Sequence, residues 1–268
     1  MEFVILGSGG ATATPRPYCQ CNVCKKARRL GEPYKRNSSS LFIKNINGVV
    51  DCGEDIADSL NRRNIKKVEN LFITHWHPDH TFGLRLILES CFDFRANKAV
   101  RRINVYLSKK VFKDLESKIN VLNYYSNVIK VAKIHFIEHN QTIKIGNLKV
   151  TAIGYTGKNS NTNSFLFKEG RKRVLYSPCD TINFAQSIPN LDLLINECGL
   201  FSYQKVKSEI SFPDLMNRIK ELNPKKTILT HIEELELQAW GLKYLKKMKE
   251  KYASINFDFA YDGMEIKV

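Results

Sequence analysis

Apolar positions in this chain fall into short runs separated by polar breaks, and that pattern predicts strands along most of its length. In the first half the runs lie at 3–6, 40–46, 49–50, 71–73 and 104–107. In the second half they lie at 148–153, 164–167, 174–176, 193–195 and 227–229. Many end in Gly, Asn or Asp, which supply turns. Stretches with helical spacing sit between some of them, at 56–64, 82–91, 108–117, 212–222 and 235–251. The fourth closes on Asn223-Pro224, a helix stop, and the last carries a lysine-rich outer face. Strands mixed with helices in this way predict a layered α/β or α+β domain. No composition shift and no Pro/Gly/Ser-rich stretch marks a linker, so one domain spanning 1–268 is expected.

Composition narrows the class. A chain of 268 residues that is 43% hydrophobic is long enough for a sizeable core. No apolar run approaches the roughly 20 residues that cross a bilayer, so no membrane partner is expected. The start, Met1-Glu2-Phe3-Val4-Ile5-Leu6-Gly7, carries an acid where a signal peptide would be basic, and it reads as a first strand. A cytoplasmic location follows as an expectation. Seven cysteines in such a chain point to metal binding or buried thiols rather than disulfides.

The formal charge of +15 favours anionic ligands such as phosphate esters or nucleic acid. The basic residues are scattered, however, and no patch interleaves them with aromatics as a nucleic-acid platform does. Gly7-Ser8-Gly9-Gly10 lacks both the Lys-Ser/Thr of a P-loop and the full dinucleotide-binding spacing, so it predicts a tight turn.

The strongest chemical signal is His75-Trp76-His77-Pro78-Asp79-His80, directly after the apolar run 71–73. Imidazole and carboxylate are ligands of borderline divalent metals. Residues two apart in an extended segment face the same way. On that spacing His77 and Asp79 reach the space that His75 faces, and His80 suits a second, adjacent metal. Cys19-Gln20-Cys21-Asn22-Val23-Cys24 places three thiols within six residues, enough for three corners of a tetrahedral zinc.

The histidine motif, between a strand and a helix, resembles the signature of the metallo-β-lactamase superfamily. Further landmarks agree in order: Val50-Asp51-Cys52-Gly53, then Leu175 through Thr181 ending in Asp180, then Ile228-Leu229-Thr230-His231. The resemblance implies an αβ/βα four-layer sandwich with metals at one edge of two packed sheets. It assigns His75 and His77 to one metal and Asp79, His80 and His231 to a second, with Asp180 bridging. Asp79 and Asp180 would act in catalysis. The C-x-C-x-x-C motif is similar to that of the cyclic-phosphate phosphodiesterases of phosphonate breakdown and of the B protein of pyrroloquinoline quinone biosynthesis. In those families it binds a structural zinc. Cys19, Cys21 and Cys24 would do so here, with Glu233, Glu234 or another cysteine as the fourth ligand.

Three family histidines are replaced. Gly157 stands where metal one normally gains its third, and the spare His135 and His139 read as ordinary strand-end or surface residues. Glu234 stands where the structural zinc takes its histidine. Glu209 stands where the phosphodiesterases place a histidine for acid catalysis or phosphate binding. Cys179 and the pair Glu197-Cys198 lie close enough in sequence to these landmarks to lend a substitute ligand, and core packing is the competing reading. The segment 159–163 reads either as a cleft lining or as a polar turn.

The implied activity is metal-dependent hydrolysis of a phosphodiester, such as a small cyclic phosphate, by a metal-activated hydroxide. The implied ions are two catalytic Zn2+, or one if the site is degenerate, and one structural Zn2+, with Mn2+ or Fe2+ as alternatives. Three other readings stay open. His75, His77 and Asp180 form a two-His-one-carboxylate set suited to a non-haem iron oxygenase. The positive charge suits an RNA-processing nuclease, though no Gly/Pro-rich arm for gripping tRNA is visible. A degenerate metal-binding scaffold is the last. A homodimer is compatible with all of them.

Overall fold

The computed structural model describes residues 1–157, 160–201 and 209–268. Its strands in chain order are β1 (Glu2–Gly7), β2 (Ser40–Ile43), β3 (Gly48–Val50), β4 (Asn70–Phe72), β5 (Phe92–Asp93), β6 (Lys98–Ala99), β7 (Ile103–Leu107) and β8 (Ala132–Phe136). They continue as β9 (Thr142–Ile145), β10 (Leu148–Thr156), β11 (Asn161–Glu169), β12 (Lys172–Ser177), β13 (Leu193–Glu197), β14 (Thr227–Thr230), β15 (Phe257–Phe259) and β16 (Glu265–Lys267). The helices are α1 (Asn22–Leu30), α2 (Ile56–Arg62), α3 (Pro78–Thr81), α4 (Leu84–Glu89), α5 (Lys109–Lys118), α6 (Phe212–Leu222), α7 (Glu234–Trp240) and α8 (Lys243–Lys251).

Two seven-stranded sheets dominate, in the orders β16-β1-β2-β3-β4-β7-β8 and β15-β14-β13-β12-β11-β10-β9. Each is half antiparallel and half parallel. In the first sheet β3, β4, β7 and β8 run parallel; in the second β12 to β15 do.

Side-chain alternation sorts the strands into layers. Phe3 and Ile5 of β1 join the core between the sheets, where they meet Phe165, Phe167, Tyr176 and Ile195. Val4 and Leu6 turn outward against Ile56 of α2, Leu84 and Leu88 of α4, and Val111 of α5. On the far side, Leu166, Leu175, Leu194 and Leu229 bury the apolar faces of α6, α7 and α8. In α6 that face is Phe212, Leu215, Met216 and Ile219, a spacing that keeps all four on one stripe. The result is helix, sheet, sheet, helix: the four-layer αβ/βα sandwich. Phe72 ties its two sheets together, with its ring 4.9 Å from Tyr106 in its own sheet and 5.4 Å from Phe165 in the other.

Several sequence expectations need adjusting. The predicted helix 82–91 is shorter, running only as α4 from Leu84 to Glu89. The separate short helix α3 precedes it, and Gly83 N between them donates to Cys52 O at 2.8 Å rather than continuing a helical ladder. The helix 235–251 divides at Gly241, whose φ of 77° no continuing helix can hold. The run 40–46 leaves the sheet after Ile43 for a single 3-10 turn. Gly7 to Gly10 form no tight turn; the chain runs on beside 36–38 and Ile232. A Cβ on Gly7 would lie 1.9 Å from Ser38 O, so contact between backbones explains that glycine.

Candidate metal centre

The side chains singled out by the sequence converge where the parallel strands of both sheets end, the position at which open α/β sheets bind ligands. Asp51 follows β3, and β4 runs into Thr74 and His75. His77, Asp79 and His80 lie at the start of α3. Cys179 and Asp180 follow β12, and His231 follows β14. Asp51, Asp180 and His231 all adopt left-handed backbone angles, with φ of 60°, 56° and 53°. Residues other than glycine rarely do so, and such strain persists where the surrounding contacts over-determine it. A backbone bond from Asn163 N to Thr74 O, 2.9 Å, locks the two sheets together at this edge.

Two histidine groups meet there. His75 Nε2 and His77 Nδ1 are 2.9 Å apart. Asp79 Oδ2 lies 3.2 Å from His80 Nε2 and 3.3 Å from His231 Nε2. Helix α3 begins at Pro78, so strand alternation lapses and Asp79 makes its contacts with His80 and His231. Asp51 anchors the cluster from behind. It accepts bonds from Thr74 N at 2.8 Å, Thr74 Oγ1 at 2.7 Å and His80 Nδ1 at 2.8 Å. The Thr74 hydroxyl in turn sits 2.9 Å from His75 Nδ1. Both inner histidines therefore present Nε2 to the centre, with their Nδ1 atoms engaged. His80 Nε2 is fully buried and, despite its proximity to Asp79, makes no hydrogen bond.

Electrostatics among the protein groups divide the cluster. Burial, together with the charge of His80, holds His75 well below the usual imidazole range, so it is neutral. Burial opposes charge on His80 as well, but Asp79 and Asp51 outweigh it and push His80 well up. Burial likewise opposes charge on His231, yet its bond to Asp79 and the Glu233 charge raise it to about 10. Burial alone would raise Asp79, and the two cationic histidines instead hold it well below the carboxylate range. Burial lowers His77 as well, so His75 and His77 are neutral. His80 and His231 instead carry protons that a divalent cation would have to displace, because imidazole ligates only when neutral. The buried His80 Nε2, which lacks a hydrogen bond, and the convergent Asp79 carboxylate suit a divalent cation.

Asp180 Oδ2 accepts a bond from Ser160 Oγ at 2.7 Å. A Cβ on Gly157 would lie 2.5 Å from that same oxygen, so a histidine at position 157 would displace the Asp180 carboxylate. The Cys179 sulfur is close to both groups. It lies within 4.8 Å of the ligand atoms of His75 and His77, and also within 4.8 Å of those of His80 and His231. Burial pushes its thiol well above the ordinary value.

The cysteine motif forms a second cluster. Cys21 caps α1, its sulfur accepting from Cys24 N. Glu234 Oε1, at the start of α7, lies 3.6 Å from Cys19 Sγ, 3.2 Å from Cys21 Sγ and 3.0 Å from Cys24 Sγ. Glu234 is wholly buried, and Arg16 Nε lies 3.3 Å from its other oxygen. Of the fourth ligands considered from sequence, Glu234 is the one within reach of all three sulfurs. Glu233 instead accepts from Ala11 N and approaches His231 Nδ1.

Other candidates take structural places. His135 stacks on Tyr106 and bonds Asn104. His139 is exposed, and its Nδ1 accepts from Gly154 N. Cys198 is buried in the outer core of the second sheet. Glu197 accepts from Thr181 N beneath the Asp180 turn. Asn161 and Asn163 open β11 and bond Asp114 and Ser108, while Asn159 lies outside the described residues. Glu209 is half-buried; burial, followed by the Glu197 charge, raises it to about 7. Sequence alone assigns no role to Asp51 or Thr74; an acid in a turn ahead of the histidine motif is the one signal for Asp51.

Comparison with known proteins places these residues in context. The family model described as "Beta-lactamase superfamily domain" matches residues 47–232. Among curated relatives, an octanoyltransferase of Porphyromonas gingivalis is 28% identical over 45% of this chain, and the match spans only 23% of that protein's length. Ribonuclease Z of Staphylococcus carnosus is 25% identical, with 98% of both chains covered. Zinc-bound PqqB from Methylobacterium extorquens superposes with a TM-score of 0.80 at 16% identity, covering 100% of each chain. A diphosphatase of the PhnP family superposes with a TM-score of 0.76 at 19% identity, covering 100% of this chain and 97% of the other. At these identities the structural likeness shows a shared fold.

Proposed function

Since the chain belongs to the β-lactamase superfamily domain family, we propose that it is a metal-dependent hydrolase of phosphodiester bonds. In this reading His75 and His77 hold one ion, Asp79, His80 and His231 hold a second, and Asp180 is shared between them. Such ions, when bound, supply hydroxide near neutral pH and polarise a phosphoryl oxygen. The observation that carries the reading is the convergence of the four histidines and Asp79 at the carboxyl ends of both sheets, with His80 Nε2 buried and lacking a hydrogen bond.

The chain's own groups have separate tasks. Asp51 fixes the ring of His80 and, through Thr74, that of His75. Glu209, raised to about 7, retains a proton near neutrality and can donate it to a leaving oxygen. A neutral carboxyl there also avoids repelling a phosphate. Glu234 completes a Cys3Glu set for a structural zinc with Cys19, Cys21 and Cys24, which would fasten the α1 loop to α7.

RNA is the second substrate class to weigh. It is favoured by the end-to-end alignment with a ribonuclease Z and by the +15 charge. The test is a panel of bis(p-nitrophenyl) phosphate, 2′,3′-cyclic nucleotides and a precursor tRNA, offered to zinc- or manganese-loaded protein and to a His77→Ala, Asp79→Ala variant. Cleavage of any member by the wild type alone supports the reading. Cleavage only of RNA, weakening steeply with salt, selects the nuclease. No cleavage of any member by fully loaded protein overturns hydrolysis of phosphodiesters.

A further inference from the structure

We infer that Cys179 is itself a metal ligand of this centre, its thiolate shared by the two histidine groups. The inference rests on the metal-centre reading above and adds a donor to it. Four observations converge on the sulfur. It is the atom common to two separate ligand sets, His75 with His77 and His80 with His231, each drawn within 4.8 Å. It is buried at 7% exposure, so it is aimed inward and not at solvent. Its backbone is pinned, with Cys179 O accepting from Tyr155 Oη at 2.8 Å, and the strained Asp180 follows directly. The neighbouring His80 Nε2, fully buried, has no hydrogen-bond partner.

The vacancy at Gly157 supplies the reason. Position 157 cannot carry a side chain without striking Asp180 Oδ2, so the histidine pair lacks a third donor from that strand. Cys179, two residues past the end of β12, brings its sulfur within 4.8 Å of the ligand atoms of that same histidine pair. A neutral Cys179 thiol gives up its proton to solvent as the metal–sulfur bond forms, so binding releases one proton per thiol.

The chemical consequence is a change in metal preference. Thiolate is a soft donor that selects zinc, cobalt or iron, whereas carboxylate and water suit manganese and magnesium. A centre with Cys179 as ligand therefore prefers zinc or cobalt to manganese, and Cys179→Ser narrows that preference. The serine variant retains the size of the side chain and the four histidines.

The experiment is cobalt titration of full-length wild type and Cys179→Ser, followed by near-ultraviolet absorption and metal content. The three cysteines of the other cluster contribute equally to both proteins and cancel in the difference. Wild type is expected to show additional thiolate-to-cobalt charge-transfer intensity that the variant lacks. Cobalt at the histidine cluster should weaken by at least about tenfold, since loss of even an outer-shell partner costs 10–100-fold. Equal cobalt content with superimposable spectra would overturn the role of Cys179 and leave the histidine centre standing. Cobalt confined to the cysteine cluster in both proteins, unchanged by His77→Ala, would overturn the centre as well. Should the serine variant not fold, zinc-loaded wild-type crystals decide the matter. An anomalous peak about 2.3 Å from Cys179 Sγ supports the inference, and occupied histidines with no peak near that sulfur refute it.

Discussion

Asp51 accepts a hydrogen bond from His80 Nδ1 at 2.8 Å, leaving His80 Nε2 as the nitrogen that faces the cluster. A carboxylate can only accept here, so the bond fixes both the tautomer and the ring plane. Asp51→Asn is a clean probe, because asparagine tolerates the left-handed backbone that residue 51 adopts. The variant should fold, yet bind metal about 10–100-fold more weakly. Competition titration against a chelator reads this directly; unchanged affinity would remove Asp51 from the centre.

Gly157 yields a counterintuitive expectation. Installing the missing donor by Gly157→His should lower metal occupancy, because the new Cβ meets Asp180 Oδ2 at 2.5 Å. Overpacking of this kind costs about 1–3 kcal/mol, so Gly157→Ala should reduce thermal stability on its own. Denaturation midpoints and metal content of the two variants check both statements. A gain of occupancy in Gly157→His would show that the site lacked only a histidine.

How far the sequence reaches is visible in these same residues. The layered fold and the histidine motif are legible because strand alternation and ligand spacing are local. Edge strands such as β9, which alternates exposed and half-buried positions, leave no continuous apolar run and escape notice. Asp51 is legible from sequence only as a landmark acid, and Cys179 only as one of several possible substitute ligands. Their importance depends on which strand ends become neighbours, and that is decided by sheet order across more than a hundred residues. Glu234 could be named as one of several candidates from sequence, but only the packing of α1 against α7 sets it over three sulfurs.

Glu209 gives the pH dependence. Its carboxyl is raised from 4.5 to about 7, so the folded state holds a proton that the unfolded chain releases near 4.5. The stabilising contribution of that proton is complete below about 4.5 and is lost as pH rises through about 7. If Glu209 serves as the acid, hydrolysis should decline through the same range, and Glu209→Gln should be slower, without that alkaline limb. A pH–rate profile that is identical in both proteins would exclude the role.

Glu234 separates structure from chemistry. Glu234→Ala should lose the cysteine-site ion and lower the melting temperature, while the histidine-cluster ions persist. Glu234→Gln keeps the shape but weakens the donor, and should fall between. Elemental analysis alongside calorimetry tests the ordering, and an alanine variant with full metal content and unchanged melting would contradict it.

The most direct measurement is the metal content of wild-type protein beside that of the His77→Ala, Asp79→Ala variant. Wild type should hold two ions at the histidine cluster and one at the cysteines, with only the cysteine-bound ion remaining in the variant. Identical metal content in the two proteins would contradict this, because the histidine cluster would then hold no metal of its own.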